Sequence, residues 1–118
     1  MSGNSFQSVS QISVEELKDL LKGDKANLQL IDVREPQEIA IANLDDFINL
    51  PLSQFNEWIE LISSRFDPHQ ETLVLCHHGV RSAQMCQWLL SQGFTNVKNI
   101  SGGIDAYSRI VDSSIPQY

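Results

Sequence analysis

The sequence predicts an α/β domain: a mainly parallel sheet of about five short strands, flanked by helices on both faces. Three observations predict it. A run dominated by aliphatics at residues 28–33 and an apolar one at 72–75 read as buried strands, and residues 97–100 as a last short strand. Stretches with helical apolar spacing lie between them. Single helices between successive strands imply parallel crossovers, which cover both faces of a sheet.

Each element has its own signal. Residues 1–8 read as a loose lead-in to one domain over residues 9–118. Ser13 and Glu16 form a capping box. Val14, Leu17 and Leu21 then share one helical face, which Gly23 ends. Residues 28–33 make a strand, and Pro36 suits the first turn of a short helix over residues 37–42. Residues 47–50 form another strand, stopped by Pro51. Ser53 reads as a second N-cap. After it Phe55, Trp58, Ile59, Ile62 and Phe66 fall on one amphipathic face, a core stripe rather than a cofactor box. Residues 72–75 form a strand that ends in Cys76. His77 to Arg81 reads as a tight loop, residues 82–91 as a helix closed by Gly93, and residues 97–100 as the last strand. Gly102-Gly103 turns the chain into a final helix carrying Ile104, Tyr107, Ile110 and Val111.

The 118 residues suit one domain, and 42% hydrophobic content supplies a core. A net charge of −7, from 8 Lys+Arg against 15 Asp+Glu, argues against nucleic acid and anionic membranes as partners. No apolar stretch approaches the roughly 20 residues of a spanning helix. The first ten residues lack the basic and apolar regions of a secretory signal. Two cysteines, Cys76 and Cys86, are most simply reduced thiols, so a cytoplasmic location is the expectation. Nothing in the pattern demands a dimer, and a monomer is expected. Residues 1–75 hold thirteen acids and five bases, whereas residues 76–118 hold two acids and three bases. Differently solvated faces and a local site for an anionic ligand both fit that asymmetry.

Cys76 falls where parallel sheets place ligands, beyond the C-terminal end of a strand. A thiol near a helix N-terminus meets the positive end of the helix dipole, which favours the nucleophilic thiolate. Backbone N–H groups of a short loop can converge on an anion, and Gly79 permits the turn. Arg81 adds a planar, permanently charged donor fork. Many strand-end cysteines only pack, but a packing cysteine does not require His-His-Gly-Val-Arg after it.

These residues resemble the rhodanese-like sulfurtransferases from about Ile12 to Val111. The resemblance rests on Asp32-Val33-Arg34-Glu35-Pro36, on Asn49-Leu50-Pro51-Leu52, and on the loop from Cys76 to Ser82. The closing Gly102-Gly103-Ile104-Asp105-Ala106-Tyr107 is similar to the family's last motif, with Tyr107 in a tryptophan position. The resemblance implies a rhodanese-like three-layer sandwich in which Cys76 takes a sulfane sulfur from thiosulfate or a persulfide donor. The persulfide then yields it to cyanide, a thiol or a protein partner in a sulfur relay. His77, His78, Gly79, Val80, Arg81 and Ser82 would bind the substrate, the loop N–H groups holding the anionic sulfur and Arg81 attracting an anionic donor. No cofactor is implied, since the sulfur rides on the protein. Four residues separate Cys76 from Arg81, one fewer than in cysteine phosphatases, which favours sulfur transfer over a phosphatase or arsenate-type reductase. The other alternative is a catalytically weak rhodanese-like binding or regulatory module with negligible turnover. Many family members carry Gly-His-Ile-x-Gly-Ala where this chain has Ala42-Asn43-Leu44-Asp45-Asp46-Phe47. The tail from Val111 to Tyr118 is similar to tails of some single-domain members.

A metal reading of His77 and His78 beside Cys76 is set aside, because neighbouring side chains usually point apart and His69 would have to join them. As loop residues they would instead tune donor access and pH dependence. Cys86, on a helical stripe with Ala83 and Leu90, reads as a packed hydrophobe, with a resolving thiol as the alternative. Asp32 and Arg34 read as a structural pair at a strand end.

Overall fold

The computed structural model describes residues 8–118, so most of the lead-in lies outside the described residues. The strands are β1 (Ser10–Ile12), β2 (Leu28–Asp32), β3 (Ile48–Asn49), β4 (Glu71–Leu75) and β5 (Val97–Ile100). They form one parallel sheet in the order β1-β5-β4-β2-β3. The helices are α1 (Val14–Lys22), α2 (Pro36–Ile41), α3 (Phe55–Arg65), α4 (Val80–Ser91) and α5 (Gly103–Ala106), the last running into a wider turn over Tyr107–Val111.

Strand alternation sorts the core into two layers. Ile31 and Val74 face Trp58 and Ile62 of α3 and Met85, Cys86 and Leu89 of α4. Leu30, Leu73 and Leu75 face Val14 and Leu17 of α1 and Ile104 and Ala106 of α5. The predicted three-layer sandwich is therefore the observed one.

The differences from expectation are local and have causes. β1 carries one buried side chain, Ile12, too short a signal for a strand; pairing with residues 98–100 of β5 makes it one. The Ser13–Glu16 capping box is present at α1. Ser53 does not cap α3. It lies in a single 3-10 turn, Leu52–Gln54, and donates its hydroxyl hydrogen to Glu35 instead. The buried stripe of α4 runs through Ser82, Met85, Cys86 and Leu89 and leaves Ala83 and Leu90 half-buried. Residues 42–47, where the family's glycines are missing, turn at Asp46 with φ +73°. Aspartate tolerates that left-handed conformation better than most residues. Lys25 Nζ holds the Asp46 carboxylate at 2.7 Å.

Candidate functional site

β4 delivers Cys76 to the C-terminal edge of the sheet. The chain then turns into α4 within three residues. Gly79 makes that turn, with φ +98° as the residue before α4. It packs so closely that a Cβ there would lie 3.1 Å from Gly102 N. Helix α4 consequently begins at Val80, two residues before the expected start. Arg81 and Ser82 stand in its first turn rather than in or after a loop.

The Cys76 thiol is 1% exposed. The Gly79 N–H donates to its sulfur at 3.0 Å, and Ser82 Oγ lies 3.2 Å away. α5 clamps the other side of the loop. Ile104 N–H donates to Cys76 O at 2.9 Å and Asp105 N–H to His77 O at 3.0 Å. Gly103 allows this approach, because a Cβ there would fall 2.4 Å from both carbonyl oxygens.

Arg81 is turned away from the sulfur toward α2. Its two terminal nitrogens each meet a Glu38 oxygen at 2.8 Å. The fork expected to meet a donor is thus occupied, although the positive charge remains beside the loop. The Arg81 guanidinium holds the Glu38 carboxyl down at about 2, and the same pairing raises Arg81. Arg34 is fully buried and bonded to Asp32 through Nε and Nη2, which supports the structural reading of that pair. Its Nη1 donates to the Tyr118 hydroxyl at 2.8 Å, and that hydroxyl donates to Glu38 at 3.1 Å.

The two loop histidines do not point apart. Their rings stack at 3.9 Å, and Tyr118 stacks on the far face of His77 at 3.9 Å and 4°. Burial lowers the His77 pKa, helped by His78. Asp105, rather than His69, completes a His77–His78–Asp105 group. Arg109 Nε already takes an Asp105 oxygen at 3.0 Å, and stacked rings set their in-plane lone pairs side by side. Val80 is 67% exposed at the head of α4. Cys86 is fully buried, and burial pushes its thiol up to about 12, which suits a packed side chain better than a resolving thiol.

Sequence reasoning missed Glu38, Asn99 and Tyr118. Glu38 did carry a signal, three residues after Glu35 at a helix start. Asn99, beside Lys98 in a short strand, and Tyr118, far along the chain, carried none.

Fold and site define a class: a small parallel α/β domain that presents one buried cysteine at a strand-to-helix turn. The family described as rhodanese-like domain matches residues 13–110. The chain is 34% identical over 101 residues to a sulfurtransferase of Allochromatium vinosum, covering 86% of this chain and 90% of that protein. It is 52% identical over 114 residues to the chloroplastic rhodanese-like/PpiC domain-containing protein 12 of Arabidopsis thaliana. That match takes in 93% of this chain but 38% of the relative, so the chain spans well under half its length. In structure it is similar to a rhodanese-like domain protein from Staphylococcus aureus, with a TM-score of 0.72 at 24% identity over 93% of this chain and 99% of that one. The chain belongs to the rhodanese-like family.

Proposed function

We propose that the protein moves a sulfane sulfur through a persulfide on Cys76. The Cys76 thiolate attacks the outer sulfur of thiosulfate or of a persulfide donor. The donor's S–S bond breaks, and sulfite or a thiolate leaves with the electron pair. An acceptor, cyanide or a thiolate, then attacks the outer sulfur. The new S–S bond on Cys76 breaks, and Cys76 leaves as thiolate. A protein in a sulfur relay could be the acceptor.

The observation that carries this reading is the Gly79 N–H donating to the Cys76 sulfur at the mouth of α4. That donor and the helix start favour negative charge on sulfur without a neighbouring base. The second sulfur adds about 2 Å to the side chain. In this reading His77, His78, Gly79, Val80, Arg81 and Ser82, the residues that follow Cys76, bind the donor, although the Arg81 fork is paired with Glu38. A phosphatase would need the Arg81 fork on its phosphate, and that fork is held by Glu38. Two free thiols fit a reducing compartment, and the cytoplasm is our proposed location.

Intact-protein mass after incubation with thiosulfate tests the reading. Gain of one sulfur atom, lost on adding cyanide and absent in Cys76→Ala, is the expected result. No uptake from thiosulfate or from persulfide donors would remove the transfer reading and leave a binding module.

A further inference from the structure

A chain of neutral side chains leads from the edge strand to the active-loop sulfur. Gln11 of β1, Asn99 of β5, Ser82 of α4 and Cys76 follow one another by hydrogen bonds. Ser82, Asn99 and Cys76 are each at most 3% exposed.

The polarity of that chain is fixed by what each atom can do. Asn99 Nδ2 lies 3.0 Å from the Gly79 carbonyl, which can only accept. The nitrogen of the amide must therefore face Gly79, and the Asn99 oxygen faces Ser82. That oxygen cannot donate, so the single hydroxyl hydrogen of Ser82 goes to Asn99. Toward Cys76 the Ser82 oxygen then has only lone pairs. At 3.2 Å it can accept the S–H of a thiol and can give nothing to a thiolate. Gln11 steadies the far end, its Oε1 accepting from Asn99 Nδ2 at 3.1 Å and from Ser101 Oγ at 2.9 Å.

We propose that Asn99 is a positioning residue for the sulfur-transfer site: it turns the Ser82 hydroxyl away from Cys76 and so holds the resting cysteine as the thiol. Gly79 N–H favours the charged sulfur, and the Ser82 lone pair favours the protonated one. Asn99 decides that Ser82 takes the second role. Once Cys76 carries a persulfide, Sγ has no proton and the negative charge lies on the outer sulfur. The brake then bears on the empty protein and not on the loaded one. The consequence for turnover rests on the persulfide reading, but the state of the thiol does not.

The pH profile of Cys76 alkylation by iodoacetamide, read by intact mass against a Cys76→Ala blank, tests this. Other charged or titratable groups near Cys76 are Arg81 and Cys86 on α4, His77 and His78 beside it, Asp105 on α5, Glu38 on α2 and Tyr118 stacked on His77. The substitutions leave all of them in place. In Asn99→Leu the Ser82 hydroxyl is free to turn onto the sulfur. The pH of half-maximal alkylation should fall by about one unit, the worth of one hydrogen bond to a charged group. Asn99→Leu with Ser82→Ala should show no fall beyond that of Ser82→Ala alone. A fall that persists in the double variant would mean a loosened loop and overturn the proposal, as would an unmoved profile in folded Asn99→Leu. Should Asn99→Leu not fold, Ser82→Ala decides by sign. Loss of an acceptor moves the profile to lower pH, and a move to higher pH would show Ser82 to be a donor to sulfur. Alkylation needs no sulfur donor, so failure here and failure of sulfur uptake are separate results.

Discussion

Replacing Gly103 with alanine tests how tightly α5 closes on the Cys76 loop. The added Cβ would sit 2.4 Å from the Cys76 and His77 carbonyl oxygens, whereas ordinary contact begins near 3.4 Å. The start of α5 must therefore lift by about 1 Å, or the loop must yield by as much. Either movement strains the bonds from Ile104 N–H and Asp105 N–H to those same oxygens, 2.9 and 3.0 Å long. Each is worth about 1 kcal/mol, and an alanine at φ +62° adds about 1 kcal/mol more. The expected loss is about 3 kcal/mol. Gly93 provides the control, since it has φ +97° and a Cβ there meets nothing within 4 Å. Gly93→Ala therefore carries only the backbone cost, about 1 kcal/mol. Urea unfolding followed by tryptophan fluorescence measures both, and sulfur loading at a denaturant-free pH 7 measures the site. Gly103→Ala should lose about 2 kcal/mol more than Gly93→Ala and load sulfur more slowly, while Gly93→Ala loads normally. Equal losses in the two variants would refute the contact between α5 and the loop.

Glu38→Gln removes the charge that Arg81 and Tyr118 share. The drop from 4.5 to about 2 corresponds to roughly 3 kcal/mol, and the partial exposure of both side chains reduces that to about 1–2 kcal/mol. A carboxyl held low in the folded state stabilises fully above its ordinary value and loses that contribution as pH falls toward about 2. The urea midpoints of wild type and Glu38→Gln should thus differ at pH 7 and converge below pH 4, and a gap independent of pH would count against the pair. Tyr118→Phe keeps the stack on His77 but removes the hydroxyl between Arg34 and Glu38, at a cost of about 1 kcal/mol. Tyr118→Ala also uncovers His77, so its imidazole, followed by NMR, should titrate at higher pH than in wild type; an unmoved titration would show that Tyr118 does not contribute to its burial.

The layers of the fold were legible because burial on both faces of a parallel sheet writes itself as runs dominated by aliphatics, which β2 and β4 carry, with β3 and β5 shorter and more mixed. β1 carried none, as only Ile12 of its three residues is buried, and it exists through pairing with β5. The Cys76 loop was legible because its composition, not its periodicity, is unusual. Its end was placed two residues late: His77 to Arg81 has the composition of a tight loop, but the left-handed turn at Gly79 lets α4 begin at once. The partners of the loop could not be read at all. Arg81 finds Glu38 across 43 residues and Arg34 finds Tyr118 across 84, and only the fold makes such pairs neighbours.

Arg81 and Ser82 are adjacent in sequence, yet α4 sends them into different networks. Arg81 joins Glu38, Tyr118 and the Arg34–Asp32 pair, in which two cations face two carboxylates. Those opposite charges largely cancel at a distance. Ser82 joins a buried neutral chain that touches the sulfur itself. The field at Cys76 is therefore set less by the nearby arginine than by oriented dipoles: the Gly79 N–H favouring charge and the Ser82 lone pair opposing it. Dipoles fixed by packing are weakly screened by salt, whereas a free arginine at the rim is not. In the proposed sulfur transfer, a site built this way would react with little dependence on salt.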